Sequence, residues 1–77
     1  MALPKEYNLV PNEKGLFECD CCKKYTLAEK NDYRYCRECG WIDDWYHVEF
    51  PDEVDGPNPV SLNEGRKMYA RGELIGI

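Results

Sequence analysis

The chain has 77 residues and a formal net charge of −5. This length allows one small domain, whose apolar core needs an additional source of stability such as a bound metal. The negative charge weighs against nucleic-acid binding, because an acidic protein is repelled by phosphate. The sequence has no run of 18 apolar residues, so it predicts no membrane span.

Residues 1–15 are expected to form a lead-in segment, since two prolines and a glycine interrupt any regular element there. Residues 16–19 predict a short strand that enters the first cysteine pair. Residues 25–27 and 33–35 are rich in β-prone side chains and are separated by a polar stretch. They predict a hairpin whose return strand carries the second cysteine pair and places its two tyrosines on one face.

Four cysteines form two Cys-x-x-Cys pairs, Cys19 with Cys22 and Cys36 with Cys39, thirteen residues apart. Each pair can direct both sulfurs at one ion, so the spacing predicts a single tetrahedral zinc site with four thiolate ligands. The Zn²⁺ would be structural, because four protein ligands leave no position open for water or substrate. Such sites contribute about 10–16 kcal/mol in small peptides. Iron is the alternative metal, since a thiolate tetrahedron accepts both.

Cys21 is the fifth cysteine, and its spacing does not suit it as a ligand. We expect Cys21 to be a packed thiol that does not bind the metal. The alternative is a reactive thiol that exchanges with the metal ligands under oxidation. An odd number of cysteines and the lack of an apolar signal-type segment at the start indicate a reduced, cytoplasmic protein. His47 is the only histidine, and we expect it to be partly buried and not to bind the metal.

Residues 41–59 form an aromatic and acidic segment followed by a loop. Six large apolar residues in 41–50 predict either a strand or a helical turn, and three prolines in 51–59 predict the loop. Residues 43–55 hold six acids and no Lys or Arg, which suits contact with a basic protein. The predicted interaction surface consists of Trp41, Asp43, Asp44, Trp45, Glu49, Asp52, Glu53 and Asp55.

Residues 61–71 predict a C-terminal helix. Ser61 and Glu64 have the spacing of a capping box, in which each side chain binds the backbone amide of the other residue. Gly72 suits the C-terminal cap. Helical spacing places some side chains toward the core and others toward water: Leu62, Gly65 and Tyr69 inward, with Arg66, Lys67 and Arg71 outward.

Several of these motifs occur together. Cys-Asp-Cys-Cys at 19–22 is followed by Tyr-Thr-Leu at 25–27, then Trp-Ile-Asp-Asp at 41–44 and Val-Ser-Leu-Asn-Glu at 60–64. The combination resembles a small bacterial family named for its Cys-Pro-Cys-Cys motif. Asp20 stands where that family has proline, and Lys23 where glycine is usual. The resemblance implies a zinc-ribbon-like fold and a bound metal, with no established enzymatic activity.

The predicted fold is a small, metal-stabilised α+β domain over residues 1–77. It would consist of a zinc-ribbon-like β-hairpin with two Cys-x-x-Cys knuckles (16–40), the aromatic and acidic segment, and one C-terminal helix. The predicted function is a non-enzymatic protein–protein interaction module, one version being an inhibitor or immunity-type protein. One alternative is a nucleic-acid-binding zinc ribbon using the basic hairpin residues, and another is a thiol or iron redox protein using Cys21. The basic hairpin residues are Lys23, Lys24, Lys30, Arg34 and Arg37.

Overall fold

A computed structural model describes residues 3–75 of the chain. Its elements, in chain order, are β1 (Phe17–Glu18), β2 (Tyr25–Leu27), α1 (Trp45–Glu49) and α2 (Leu62–Ala70). Turns and loops connect these short elements. Within the described residues, no helix has both the length and the apolar character needed to cross a membrane.

β1 and β2 pair as an antiparallel hairpin, and the turn between them carries the first cysteine pair. Phe17 lies opposite Leu27 and Glu18 opposite Tyr25, so the register shifts by one residue between the two pairs. A bulge of this kind leaves Thr26 without a partner on β1 and allows its side chain to turn toward the cysteines.

The predicted pairing of residues 25–27 with residues 33–35 is wrong. β2 pairs with β1 instead, and Tyr35 forms an isolated bridge with Ile42 across the second cysteine pair. Tyr33 has a φ of 52°, which a strand does not allow, and both tyrosines are exposed. Each cysteine pair therefore occupies its own tight turn.

The aromatic segment forms the short helix α1. Asp44 caps its N-terminus, where Oδ1 accepts a hydrogen bond from the Tyr46 amide at 3.2 Å. Asn58 fixes the loop that follows: its side chain accepts from the Ile42 N–H and donates to the Ile42 carbonyl, both at 2.8 Å. The loop is thus attached to the end of the second cysteine turn.

α2 begins and ends where the sequence predicts. The Ser61 hydroxyl accepts from the Glu64 N–H at 3.1 Å, whereas the Glu64 carboxylate lies 3.5 Å from Arg71, so one half of the predicted capping box forms. At the other end Gly72 has a φ of 82°, and Gly72 and Glu73 donate their N–H groups to the last helical turn. This is a Schellman ending.

The core lies between the cysteines and α2. Trp41, Leu27, Leu62 and Ile75 are each at most 2% exposed. Gly65 allows α2 to approach closely, because a Cβ atom there would lie only 3.2 Å from the Trp41 ring. α2 therefore packs directly on the tryptophan that follows the second cysteine pair.

Two distant segments attach to the cysteine turns through polar contacts. Tyr7 of the lead-in segment is buried, and its hydroxyl donates to Asp43 Oδ2 at 2.6 Å. Arg66, predicted to face water, instead donates its Nε–H to the backbone carbonyl of Asp20 at 3.0 Å. These contacts span 36 and 46 residues, so both the lead-in segment and α2 are anchored near the cysteines.

Candidate metal centre

Each cysteine pair lies in a turn that is closed by its own backbone hydrogen bond, and the two bonds join equivalent positions. The Cys19 N–H donates to the Lys24 carbonyl at 2.9 Å, and the Cys36 N–H donates to the Trp41 carbonyl at 2.7 Å. Each bond encloses one Cys-x-x-Cys pair. The repeated turn explains how two pairs separated along the chain can present their sulfurs in the same way.

The residue after each pair has a left-handed conformation. Lys23 has a φ of 65° and Gly40 a φ of 88°, and their N–H groups donate to the carbonyls of Cys19 and Cys36. Glycine adopts this conformation freely, whereas a residue with a side chain is strained by about 1–2 kcal/mol. At Gly40 a side chain is also excluded by space, because a Cβ atom would collide with the backbone carbonyl of Ile75.

The four sulfurs of the two pairs all lie within 4.8 Å of one another. The Cys19 and Cys39 sulfurs are 3.6 Å apart, and those of Cys22 and Cys36 are 3.8 Å apart. Four sulfurs placed tetrahedrally about 2.3 Å from a zinc ion would be separated by about 3.8 Å. The spacing therefore fits one tetrahedral metal ion, and the group can hold it without a large rearrangement.

The Cys36 sulfur has three neighbouring groups that can share a proton with it. The thiols of Cys19 and Cys39 and the hydroxyl of Thr26 donate to it and lower its pKa; Thr26 Oγ1 lies 3.0 Å from this sulfur. The pKa of Cys19 is raised, because its proton is shared with Cys36 and Cys39. Metal binding would displace these shared protons, since the ligands must be thiolates.

Each sulfur also accepts a hydrogen bond from a backbone amide two or three residues later in the chain. Such donors stabilise thiolates and are typical of the contacts that surround metal ligands. The four amides are those of Cys22, Lys24, Cys39 and Trp41.

The group of sulfurs is largely closed to solvent. Cys19, Cys36 and Cys39 are fully buried, and Cys22 is half-buried. Ile75, also fully buried, donates its backbone N–H to the Cys39 carbonyl at 2.7 Å. Because four protein sulfurs complete a tetrahedron, a metal ion held here has no position left for a substrate.

Cys21 lies beside this group without belonging to it. The Cys21 side chain is 4% exposed, and its sulfur lies 3.5 Å from the position that a Cβ atom on Gly65 would occupy. A hydrogen bond from Cys19 lowers the pKa of Cys39, but hydrogen bonds with Cys21 and Cys36 outweigh it and leave that pKa raised. Cys21 is therefore placed as a packed thiol in the buried cluster beside the four grouped cysteines.

A buried ionic cluster lies next to the first cysteine turn, and the sequence patterns did not predict it. The Lys30 ammonium donates to Asp20 Oδ2 at 3.0 Å and to the Glu18 carbonyl at 2.8 Å, and lies 3.6 Å from Asp43 Oδ1. It also sits 4.4 Å from the centre of the Tyr7 ring. The three ionic side chains are at most 1% exposed.

Two buried carboxylates share this one ammonium group, and the pKa values of Asp20 and Tyr7 are both raised. Burial raises the pKa of Asp20, while Lys30 opposes the rise. Burial and then the hydrogen bond to Asp43 raise the pKa of Tyr7, so its hydroxyl remains a donor. The members come from four separate segments at irregular spacings, so no helical or strand period in the sequence marks them.

The structure divides the predicted interaction surface into buried and exposed residues. Trp41, Asp43 and Asp44 are at most 6% exposed and are removed from it. Trp41 fills the core beneath α2, Asp43 pairs with Lys30, and Asp44 caps α1. Trp45 is half-buried, and the exposed members of the predicted set are Glu49, Asp52, Glu53 and Asp55.

His47 is fully buried rather than partly buried, and it is not among the grouped cysteine ligands. Within the described residues, neither ring nitrogen has a hydrogen-bond partner. The His47 ring packs edge-on against the Trp41 ring, with the ring centres 4.9 Å apart. Gly56 also lies close, since a Cβ atom there would be 2.6 Å from Nε2 of His47. Burial lowers the pKa of His47, although the Asp44 carboxylate opposes the shift.

Comparison with protein families gives a match. A family model described as cysteine-rich CPCC matches residues 17–73. The matched stretch contains all five cysteines, both cysteine turns and the whole of α2. No curated protein matches the chain.

Proposed function

This chain belongs to the cysteine-rich CPCC family, and we propose that it is a non-enzymatic zinc-binding domain that serves as a protein-interaction module. The observation that carries the proposal is the closed group of four cysteine sulfurs, all within 4.8 Å of one another. A tetrahedral ion held by four thiolates stabilises a fold and offers no position for catalysis. Reduced cysteines as ligands suit a reducing compartment, so the proposal includes a cytoplasmic location.

Zinc is the proposed metal. Soft thiolate ligands select zinc, copper(I) or iron over magnesium and calcium. The mostly buried tetrahedron suits zinc, which has no redox chemistry and needs no access for a partner. The Zn²⁺ would join the two cysteine turns, which no strand pairing links within residues 3–75. The first turn lies in the hairpin of β1 and β2, and the second lies between the bridged residues Tyr35 and Ile42.

Metal analysis of the purified full chain tests this assignment. We expect one zinc per chain, no visible absorption, and unfolding when a strong chelator removes the ion. Cys36→Ser should lose the metal and the fold, whereas Cys21→Ser should keep both. One iron per chain, with the visible absorption of an iron–thiolate site, would contradict the assignment to zinc. A cooperative melt of the metal-free chain would contradict the structural role.

The interaction role is supported by the exposed part of the acidic segment. Glu49, Asp52, Glu53 and Asp55 are all exposed, and the buried metal site leaves no catalytic alternative at the cysteines. One version of this role is an inhibitor or immunity-type protein, which would cover a basic, nucleic-acid-binding surface on another protein. The electrostatic match would speed and orient association.

Capture from a lysate of the source organism tests the interaction role. Tagged, zinc-loaded protein should retain one partner in stoichiometric amount, and the Cys36→Ser variant should not. Capture of nucleic acid alone, released by salt, would instead support the nucleic-acid alternative.

Nucleic acid is a poorer match for the charges of the folded chain. Lys30 is buried in the ionic cluster, Arg34 pairs with Glu29 at 3.2 Å, and Lys24 lies 3.8 Å from Glu38. The basic character that the hairpin shows in the sequence is therefore largely neutralised within the chain. The redox alternative is weakened in a similar way, because Cys21 is 4% exposed and reactive thiols are generally accessible.

A further inference from the structure

Residues 49–55 comprise the last residue of α1 and the loop that follows it, and are called the acidic loop from here on. They carry negative charge that the rest of the described chain does not neutralise. Their four carboxylates are exposed, and none forms an ion pair with any residue that the structure describes. The sequence has no Lys or Arg between positions 43 and 65. The four carboxylates belong to Glu49, Asp52, Glu53 and Asp55.

Two apolar side chains stand among these carboxylates. Phe50 is 46% exposed and Val54 is 61% exposed. Phe50 packs against Tyr46, with ring centres 4.9 Å apart, and this contact leaves nearly half of the side chain exposed. A mixture of an aromatic anchor, an aliphatic side chain and surrounding charges is typical of the centre of a protein interface.

A groove of about 430 Å³ adjoins the acidic loop. The buried side chains of Val48 and Leu62 contribute apolar surface to it, and Glu6 and Glu49 contribute carboxylates. Arg66 also lines the groove, with its Nε–H already donated to a backbone carbonyl. Apolar surface beside carboxylates suits a Lys or Arg side chain, whose methylene stem packs while its charged head is neutralised.

The acidic loop is held in place before any partner arrives. The Pro51 carbonyl accepts the Asn63 N–H at 3.0 Å, and Asp52 Oδ1 accepts from the Asn63 side chain at 2.8 Å. Within the loop, the Glu53 N–H donates to the Phe50 carbonyl at 3.0 Å. These bonds attach the loop to the start of α2, so little conformational entropy is lost when it binds.

We propose that the acidic loop and the adjoining groove bind a segment of another protein that carries both Lys or Arg and apolar side chains. This inference rests on the proposed interaction role and names its surface and the chemistry of its partner. Charge complementarity selects the occupant: unneutralised carboxylates repel phosphates and anionic lipid headgroups and attract a basic polypeptide. Phe50 and Val54 supply the apolar contacts that a purely polycationic chain would not use.

The test uses the zinc-loaded full chain and a synthetic amphipathic peptide of lysine and leucine, titrated at physiological salt. We expect one lysine–leucine peptide to bind per chain in a saturable way. The matching glutamate–leucine peptide should not bind. The double variant Glu49→Lys/Glu53→Lys should weaken binding roughly tenfold or more. The matched control, Glu13→Lys/Glu29→Lys, makes the same change in net charge on other exposed residues and should weaken it far less.

A second pair of substitutions separates specific docking from general attraction. Phe50→Ser/Val54→Ser leaves the charge unchanged and should weaken binding roughly fivefold. No binding by the wild-type chain, equal losses in the two charge-reversal variants, or no loss in the serine variant would each overturn the proposal. A wild-type dimer that Phe50→Ser/Val54→Ser abolishes would overturn it too, by identifying a second copy as the occupant.

The two proposals fail in distinguishable ways. If a natural partner captured by the wild-type chain is still captured by Glu49→Lys/Glu53→Lys, the acidic loop is not its binding surface, although the interaction role remains. If the wild-type chain captures no partner, the interaction role itself fails.

Discussion

The ammonium group of Lys30 lies 3.0 Å from Oδ2 of Asp20, and both side chains are 1% exposed. This buried pair connects the loop after β2 to the first cysteine turn. We expect Lys30→Met to destabilise the zinc-loaded chain by about 3–5 kcal/mol, because it leaves the carboxylates of Asp20 and Asp43 buried without a counter-charge. Thermal or denaturant unfolding would measure the loss.

The matched control for this substitution is Lys24→Met. Lys24 is exposed and lies 3.8 Å from Glu38, so its removal should change the melting temperature little. The double variant Lys30→Met/Asp20→Asn should recover part of the loss, since one of the two stranded charges is removed. Equal effects of Lys30→Met and Lys24→Met would show that the buried pair does not support the fold.

Lys23 adopts a conformation that glycine adopts more easily. Its φ of 65° is equivalent to that of Gly40 in the second turn. We expect Lys23→Gly to stabilise the chain by about 0.5–1 kcal/mol. Glycine relieves the strain of the left-handed conformation, and this gain is partly offset because glycine also raises the conformational entropy of the unfolded state. Lys24→Gly, one residue away, should instead destabilise it. Melting temperatures of the two zinc-loaded variants provide the comparison, and a loss of stability in both would contradict the explanation.

His47 should make the stability depend on pH. Burial lowers its pKa in the folded chain, whereas in the unfolded chain it takes up a proton near pH 6.5. Below that pH the unfolded state binds more protons, so the free energy of unfolding should fall as the pH drops from about 7 to 5. Above pH 7 the residue is neutral in both states and contributes no pH dependence.

The variant His47→Phe isolates this effect, because it keeps an aromatic ring against Trp41 and removes the titrating group. Protonation of the cysteines also weakens metal binding in acid, but it does so in both proteins. The difference in melting temperature between wild type and variant should therefore change across pH 7 to 5. Parallel curves would mean that His47 does not resist protonation.

Cys21 should be dispensable for the metal and useful for packing. We expect Cys21→Ala to bind one metal ion with the same cobalt(II) spectrum as the wild type, because the four ligand sulfurs remain. Its stability should fall by about 1 kcal/mol, the cost of a small cavity beneath Gly65. A changed cobalt spectrum, or a lower metal content, would show that Cys21 can serve as a ligand.

The grouping of the four cysteines and the position of α2 could be predicted from sequence because both depend on local rules. A Cys-x-x-Cys turn directs two sulfurs inward whatever surrounds it, and Ser61 and Gly72 mark the helix ends through their own backbone preferences. The strand pairing was harder to predict. Residues 25–27 could pair with the segment before them or with residues 33–35 after them. The first cysteine turn acts as the hairpin turn and so selects β1 as the partner.

The burial of charged residues could not be predicted, because it depends on partners far apart in the chain. Asp43 has the composition of a surface residue, yet it accepts hydrogen bonds from Tyr7 and from the Asn31 amide, both at 2.6 Å. Each donor is distant in sequence and follows no repeating spacing. Composition correctly indicated an acidic segment but could not separate its interior carboxylates from those of the acidic loop.

The long-range contacts of Tyr7 and Arg66 also have a kinetic consequence. They join residues 36 and 46 positions apart, and closing such loops costs entropy before the contact is gained. An ion that gathers the cysteines draws residues 19 to 39 into one place and shortens both remaining closures. We therefore expect the rate of folding to follow metal concentration, with the lead-in segment and α2 docking after the ion has been captured.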